Sequence, residues 1–424
     1  MWKGAIFLKY VKWSFLFFLL YCVLAYIYIF VYADTSIPDH LIGSVADPNT
    51  FMNQQEMLES QQYASIKNFF YLILLPFEWL VLFFIFVSGV AKKFDQWAQQ
   101  ISRFPIIQAA IFTFYFSILS FIIDFPFSML SFYINRMYSV SVQSFHSFMR
   151  DEWVDFWVSS MMMYILVFVV YWLMRKSVKR WWFYAWLLSI PFTLFVVFIQ
   201  PVLVDPLYQD FSEIENKDLE SKILALAQEA NIPAGKVYQV EMSDETNAMN
   251  AYVTGIGSNA RIVLWDTTLN GLTEDEILFI MAHEMSHYIH KDIYQNIAIQ
   301  LFFSLLITYF VIRRLEERTS EDAQGLNLRR YASWPLILLV ASMVSFVTDP
   351  ISNFISRHDE RVCDAYAVEL TKKTEAGILA FQALSKNGLS EVNPPKLIKW
   401  LRYSHPSLME RLETLDQQSK QNDK

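Results

Sequence analysis

The chain has 424 residues, of which 54% are hydrophobic, 17% aromatic and 18% charged. A soluble domain carries about 25% charged residues, so this composition argues against a water-soluble globule and for a chain whose apolar residues gather in membrane-crossing blocks. A formal net charge of −8 leaves no basic footprint for nucleic acid, and two cysteines, Cys22 and Cys363, argue against a disulfide framework or a cysteine-rich zinc site.

A helix needs about 20 apolar residues to cross a bilayer. Seven blocks reach that length, roughly 13–33, 69–91, 104–132, 156–174, 181–204, 294–312 and 331–350. The first has a longer apolar core than a signal peptide, which predicts a retained helix. The third is long, and Pro126 inside FPFSML predicts a kink there. Two carboxylates, Glu78 and Asp124, lie inside apolar blocks. Charge at membrane depth is costly, so each must face water or protein, either lining a wet chamber or pairing with a neighbouring helix. Trp181 and Trp182 read as interface anchors.

Two stretches are not membrane-like. Residues 205–293 read as a helix at about 217–230, strands at Lys236–Val240 and Arg261–Trp265, and a further helix. Residues 351–424 read as polar and mostly helical, with the tail QQSKQNDK expected to fray. The expected fold is therefore mainly α. Residues 1–204 form a membrane domain of five helices, and 294–350 supply helices six and seven. The segments 205–293 and 351–424 combine into a small α+β domain split by that last pair.

Basic residues in short loops set orientation. Clusters at Lys3/Lys9/Lys12, Lys92/Lys93/Arg103, Arg175/Lys176/Lys179/Arg180 and Arg313/Arg314/Arg318/Arg329/Arg330 fall on one side, against Lys67, Arg136 and Arg150 on the other. This pattern puts the N-terminus in the cytoplasm and, after an odd number of crossings, both polar segments on the outer side.

The chemistry concentrates in LTEDEILFIMAHEMSHYIHKD. Thr273 with Glu276 three residues on reads as a capping box that starts a helix. On that helix His283 and His287 are four residues apart, so both imidazoles project from one face and can share an ion. Glu284 follows the first ligand and points beside the metal, where a general base for a metal-bound water belongs. Such a pattern also occurs by chance on an ordinary amphipathic helix. A catalytic zinc needs a third protein ligand, and ISRHDERVCDAYAVEL offers Glu360 as the best candidate, with His358 and Cys363 as rivals. Asp364, one helical turn beyond Glu360, is placed to accept a hydrogen bond from a ligand histidine. His290 drifts off the ligand face and is left out.

With these motifs in place, the sequence resembles the type I CAAX prenyl endopeptidase family of polytopic zinc metallopeptidases. HEMSH is similar to the family's HExxH, and SRHDERVCD resembles its SRxxExxAD, with Cys363 where alanine is usual. DPLYQDF, NAYVTG, ARIVLWDT, SHPSLMERL and FPFSMLSFYI resemble further family segments, from about residue 104 onward. The resemblance implies seven helices around a water-filled chamber, a zincin-like peptidase domain and one Zn2+ per chain. It implies His283, His287 and Glu360 as ligands, Glu284 as general base and Asp364 as the supporting carboxylate. His405 and Arg411 are implied near the oxyanion and the active-site glutamate. Asn250 is implied to hold substrate backbone, and the strand after it, Ala251 and Tyr252 included, can pair with an extended peptide.

The expected function is metal-assisted hydrolysis of a peptide or protein substrate, lipidated or otherwise membrane-associated, by a multi-pass protein of the plasma membrane. The partners expected are that substrate and the bilayer, with no nucleic acid. The rival reading is a non-enzymatic transporter or scaffold with a structural metal site. A structural zinc is closed by a fourth protein ligand and has no use for Glu284, and transporters show paired repeats that are not found here.

Overall fold

A computed structural model describes residues 4–422 except 178, 200–203, 205–206, 256–259 and 322–327. Lys3, the predicted end of the fifth apolar block at 200–203, residues 205–206 of DPLYQDF and the last two residues of the tail lie outside the described residues. So do the side chains of Lys9, Arg313, Arg314 and Arg318.

Among the described residues, seven helices are long and apolar enough to span a membrane. They are α1 (Gly4–Ile27, continued by a π turn to Tyr32), α2 (Gln54–Val87), α4 (Pro105–Met137), α5 (Phe145–Lys176), α6 (Trp181–Phe198), α10 (Asp292–Glu321) and α11 (Trp334–Thr371). Several overrun the apolar blocks that announce them. Helix α2 begins fifteen residues before its block, at a capping box in which Asn53 N–H donates to Glu56 Oε2 at 2.8 Å and Asn53 Oδ1 accepts from Glu56 N–H at 2.9 Å. Helix α4 stays helical through Pro126.

Sequence reading missed α3 (Val90–Ile101), an amphipathic helix that buries Ala91, Asp95 and Ala98 on one face. Its charged residues lower the mean hydropathy, so a search for apolar blocks passes over it. Buried Asp95 accepts from Arg330 Nε at 2.9 Å, and the Arg175 guanidinium lies over the Tyr331 ring. Basic loops that the sequence put on one side thus meet at one end of the helix bundle. At the other end the α4–α5 loop pairs with the polar domain: Val142 N–H donates to Glu245 O, and Asn247 N–H donates to Val140 O, both at 3.0 Å.

The polar domain carries a four-stranded sheet of order β1-β2-β4-β3, made of β1 (Phe211–Glu213), β2 (Val237–Val240), β3 (Ala251–Thr254) and β4 (Arg261–Trp265). β2 and β4 run parallel and the outer pairs antiparallel, which leaves β3 at an edge. β1 is three residues long, too short for an alternating pattern to reveal it. Around the sheet lie α7 (Lys217–Glu229), the short α8 (Asp266–Gly271), α9 (Glu274–His290), α12 (Thr374–Gly388), α13 (Lys396–Arg402) and α14 (Leu408–Asn422). α14 corrects the expectation of a frayed tail. Its Leu412 and Leu415 are fully buried, and Lys420 pairs with Asp416 one turn back, so the helix continues to Asn422.

The core centres on α9, where Ile277, Phe279, Met281 and Met285 pack with Ile223, Phe381, Leu412 and Leu415. Gly377 on α12 sits directly against the Phe279 ring, and a Cβ there would come within 2.4 Å of Phe279 Cζ. Gly377→Ala therefore overpacks the support of the metal-site helix. It is expected to cost about 1–3 kcal/mol, read as a lower midpoint of thermal unfolding in detergent; an unchanged midpoint would show that Phe279 has room to move.

Candidate metal centre

The site is made by two helices packed along each other. α9 starts at the predicted capping box, with Thr273 N–H donating to Glu276 Oε2 at 2.7 Å, and its apolar face is held by the core. His283 and His287 therefore leave α9 together on the side facing α11. The seventh membrane helix and the helix bearing Glu360 are one element, since α11 continues through Pro350 to Thr371. A helix that crosses the bilayer thus carries Glu360 directly under the two histidines.

His283 Nε2 lies 3.3 Å from Glu360 Oε2, and His287 Nε2 lies 3.3 Å from Glu360 Oε1. One ligand atom from each of the three residues falls within 4.8 Å of the others. Bonds of about 2.0–2.1 Å around a tetrahedral ion give ligand–ligand edges of about 3.3–3.4 Å, so these separations fit a single small cation. Glu360 Oε2 is also buried without a hydrogen-bond partner. A buried carboxylate oxygen left without a donor is costly, and an ion at the centre of the three ligand atoms removes that cost. Burial opposes a proton on His283, yet the Asp364 and Glu360 carboxylates outweigh it and raise its pKa. The cluster draws in positive charge.

Around these atoms is a second layer of partners. His283 Nδ1 is 2.9 Å from Asp364 Oδ1, so its N–H donates there and the Nε2 lone pair points into the cluster. Asp364 is gripped in turn by Arg411, through Nε to Oδ2 at 2.9 Å and Nη2 to Oδ1 at 2.5 Å, while the Arg411 guanidinium stacks on the Phe381 ring. Burial works against the Arg411 charge, but Asp364 more than reverses it.

The sequence reading missed the matching partner of His287. Asp292 Oδ2 accepts from His287 Nδ1 at 2.8 Å. Lys291 adopts a left-handed φ of 59° that ends α9 and folds the chain back, bringing a residue five positions on against the imidazole. The signal was present in HYIHKD: an acid just past the ligand helix, open to the reasoning that singled out Asp364. Asp292→Ala is expected to weaken metal binding about 10–100-fold, measured by competition with a chromophoric chelator; unchanged affinity would assign Asp292 to the turn alone.

The remaining candidates fall as follows. Glu284 stands beside the ligands, and burial pushes its carboxyl pKa up. No group among the described residues is recorded donating a hydrogen bond to it. His405 is 57% exposed and reaches Glu360 Oε1 with Nε2 at 3.1 Å, at the open side of the cluster. Arg411 is only 12% exposed and lies behind Asp364. The resemblance put it near the oxyanion and the active-site glutamate; its Nη1 lies 3.7 Å from Glu360 Oε2, its charge acts on Glu284, and its hydrogen bonds to carboxylate go to Asp364. Cys363 is fully buried with its sulfur 3.3 Å from His287 Nδ1, on the far side of that ring from the ligand atoms. His358 is exposed, and His290 Nδ1 turns to Ser286 at 3.0 Å. Asn250 caps the chain at the start of edge strand β3, its Oδ1 accepting from Ala251 N–H at 2.9 Å while Trp265 N–H donates to its carbonyl at 3.0 Å. Ala251 and Tyr252 belong to β3, which packs beside α9.

A second missed residue is Arg357, one turn before Glu360. It is buried, and its Nη1 donates to Tyr403 O at 2.6 Å, pinning the segment that delivers His405.

Comparison with known proteins agrees with this architecture. The family model described as Peptidase family M48 matches residues 213–419, and the one described as CAAX prenyl protease N-terminal, five membrane helices, matches residues 28–210. The chain is 44% identical over 400 residues to the uncharacterized metalloprotease YhfN of Bacillus subtilis (strain 168), covering 93% of this chain and 94% of that one. It is 29% identical to a CAAX prenyl protease 1 homolog of Arabidopsis thaliana, over 68% of this chain and 69% of the relative. The crystal structure of Ste24p from S. mikatae superposes with a TM-score of 0.80 at 22% identity, covering 96% and 98% of the two chains, which establishes the shared fold.

Proposed function

Since the chain belongs to peptidase family M48, as a multi-pass membrane metalloprotease with the CAAX prenyl protease N-terminal domain, we propose that it is a zinc-dependent endopeptidase with Glu284 as its general base. The observation that carries this reading is the convergence of His283, His287 and Glu360 on one point with Glu284 beside it. Residues 205–293 and 351–424 form the peptidase body in this reading, and 1–204 with 294–350 the membrane body.

When bound, zinc supplies a Lewis acid for the scissile carbonyl and an acidified water. The protein side chains do the rest. His283 and His287 present Nε2 because Asp364 and Asp292 hold their Nδ1 protons. The Glu284 carboxylate, raised in pKa by burial, takes the proton from the attacking water and passes it to the leaving amine nitrogen. His405, at the open side, donates toward the carbonyl oxygen as charge develops there. Strand β3 ends the described sheet order and lies beside α9, where an extended peptide adds as a further strand.

The substrate in this reading is a membrane-associated peptide or protein, in keeping with relatives named CAAX prenyl protease 1, and lipidated substrates fall within that class. Basic loops gather at the end of the bundle opposite the peptidase body, which under the positive-inside rule supports a site on the outer face of the plasma membrane. The test is incubation of the purified chain with unstructured peptides, with and without a C-terminal prenyl cysteine, and product mapping by mass spectrometry. Internal cuts are expected; an intact panel would remove the endopeptidase assignment.

A further inference from the structure

The chain has two cysteines, Cys22 on α1 and Cys363 on α11. Cys363 stands where the resembled family pattern has alanine, so its sulfur is an addition of this chain to the shared centre. It is fully buried and lies behind the metal cluster, on the Nδ1 side of the His287 ring. Three donor atoms of different kinds meet there. Cys363 Sγ is 3.3 Å from His287 Nδ1 and 3.8 Å from Asp292 Oδ2, and Nδ1 is 2.8 Å from Oδ2. All three lie within 4.8 Å of one another, as the atoms of the first cluster do, and Glu360 takes no part. Three helices deliver them: α9 carries His287, α10 begins with Asp292 and α11 carries Cys363, so the packed backbone fixes their spacing.

Sulfur and carboxylate approach the same ring nitrogen. A relay of nucleophile, base and orienting acid uses both nitrogens of its histidine, so this trio is not one. Its chemistry is that of a ligand set. Bonds of about 2.0–2.3 Å from nitrogen, oxygen and sulfur to a tetrahedral ion give ligand–ligand edges of about 3.3–3.6 Å. The two sulfur distances lie close to that range. The Nδ1–Oδ2 pair is at its hydrogen-bonded length and opens by about half an ångström when an ion replaces the proton between them. As a divalent ion enters, the Cys363 S–H and His287 Nδ1–H bonds break and both protons pass to solvent. The buried charge is therefore unchanged, which avoids the cost of adding net charge to an interior. A thiolate ligand selects thiophilic cations. The Asp359 carboxylate repels that of Asp292, so this corner already favours a cation, and the His287 side chain, 24% exposed, gives an approach.

We propose that Cys363, His287 and Asp292 form a second metal site, for a thiophilic divalent cation, back to back with the His283–His287–Glu360 cluster. The imidazole of His287 is shared, Nε2 serving the first cluster and Nδ1 the second. The inference takes from the peptidase reading only the ion at Nε2 and does not depend on cleavage.

The test uses the full-length zinc-loaded chain in detergent, titrated with Cd2+, with zinc and cadmium content measured after desalting. The expected result is one cadmium per chain added to the retained zinc, with an ultraviolet sulfur-to-cadmium charge-transfer band rising to the same endpoint. Cys22→Ser is expected to keep both signals. Cys363→Ala is expected to lose both while keeping its zinc and its unfolding midpoint; Cys363→Ser, closer in volume, gives the same loss should the alanine variant not fold. No band, or a band that survives both Cys363 substitutions, overturns the proposal. So does a band that grows only as zinc is released in equal amount, because the sulfur then serves an ion of the first cluster. A chain that holds no zinc yet shows the Cys363-dependent band supports the second site and condemns the zinc reading alone. Bound zinc without the band condemns the second site alone.

Discussion

Glu284→Gln is expected to lower kcat for peptide cleavage by about 10²–10⁴-fold, the span ordinarily supplied by a positioned acid–base group. The amide keeps the size of the carboxylate but cannot take a proton. Glu284 is not one of the three converging ligands, so metal content is expected to stay at the wild-type level. KM should change little, because the loss falls on the transition state. The variant is measured beside wild type for bound metal and for turnover of the same peptide. A variant that keeps more than about a tenth of wild-type kcat would move the base elsewhere, and His405 at the open side is the first alternative.

The second large effect concerns stability. Arg411→Leu removes the cation that grips Asp364 through two contacts, in a place where Asp364 is only 4% exposed. Breaking one partner of a buried pair leaves a charge without compensation and costs about 3–5 kcal/mol. Asp364 is then expected to protonate or to turn toward solvent, and His283 loses the acceptor that fixes its tautomer. The expected result is a strongly lowered unfolding midpoint together with weaker metal binding. The paired substitution Arg411→Leu with Asp364→Leu separates the terms, because it removes the stranded charge. It should recover much of the stability and none of the tautomer control. If Arg411→Leu alone melts with wild type, the pair is far better solvated than its burial implies.

Much of this was readable in the chain. Length and hydropathy suffice for the seven apolar helices, because a span needs a long run and little else. The ligand histidines follow from helical spacing in HEMSH, and Glu360 with Asp364 from one turn of another helix. What escaped depends on contacts between distant segments. α3 is amphipathic and leaves no apolar block. Asp292 reaches His287 only because Lys291 takes a left-handed turn. Arg357 matters because Tyr403, 46 residues later, returns to it. The continuity of α11 was hidden by a change of composition near residue 350, where apolar sequence gives way to polar while the backbone stays helical. Composition reports the surroundings of a helix, and here the surroundings change partway along one element.

Arg411 teaches a related point. Motif likeness located the side chain, and the packing adds that it holds Asp364 while its Nη1 stays 3.7 Å from Glu360 Oε2.

The most direct test of the central claim is zinc content and peptide cleavage of wild type and Glu360→Ala, each before and after chelation and readdition of zinc. The account predicts one zinc per wild-type chain, cleavage that disappears on chelation and returns with zinc, and neither zinc nor cleavage in Glu360→Ala. Full zinc occupancy in Glu360→Ala, or cleavage indifferent to chelation, would contradict it.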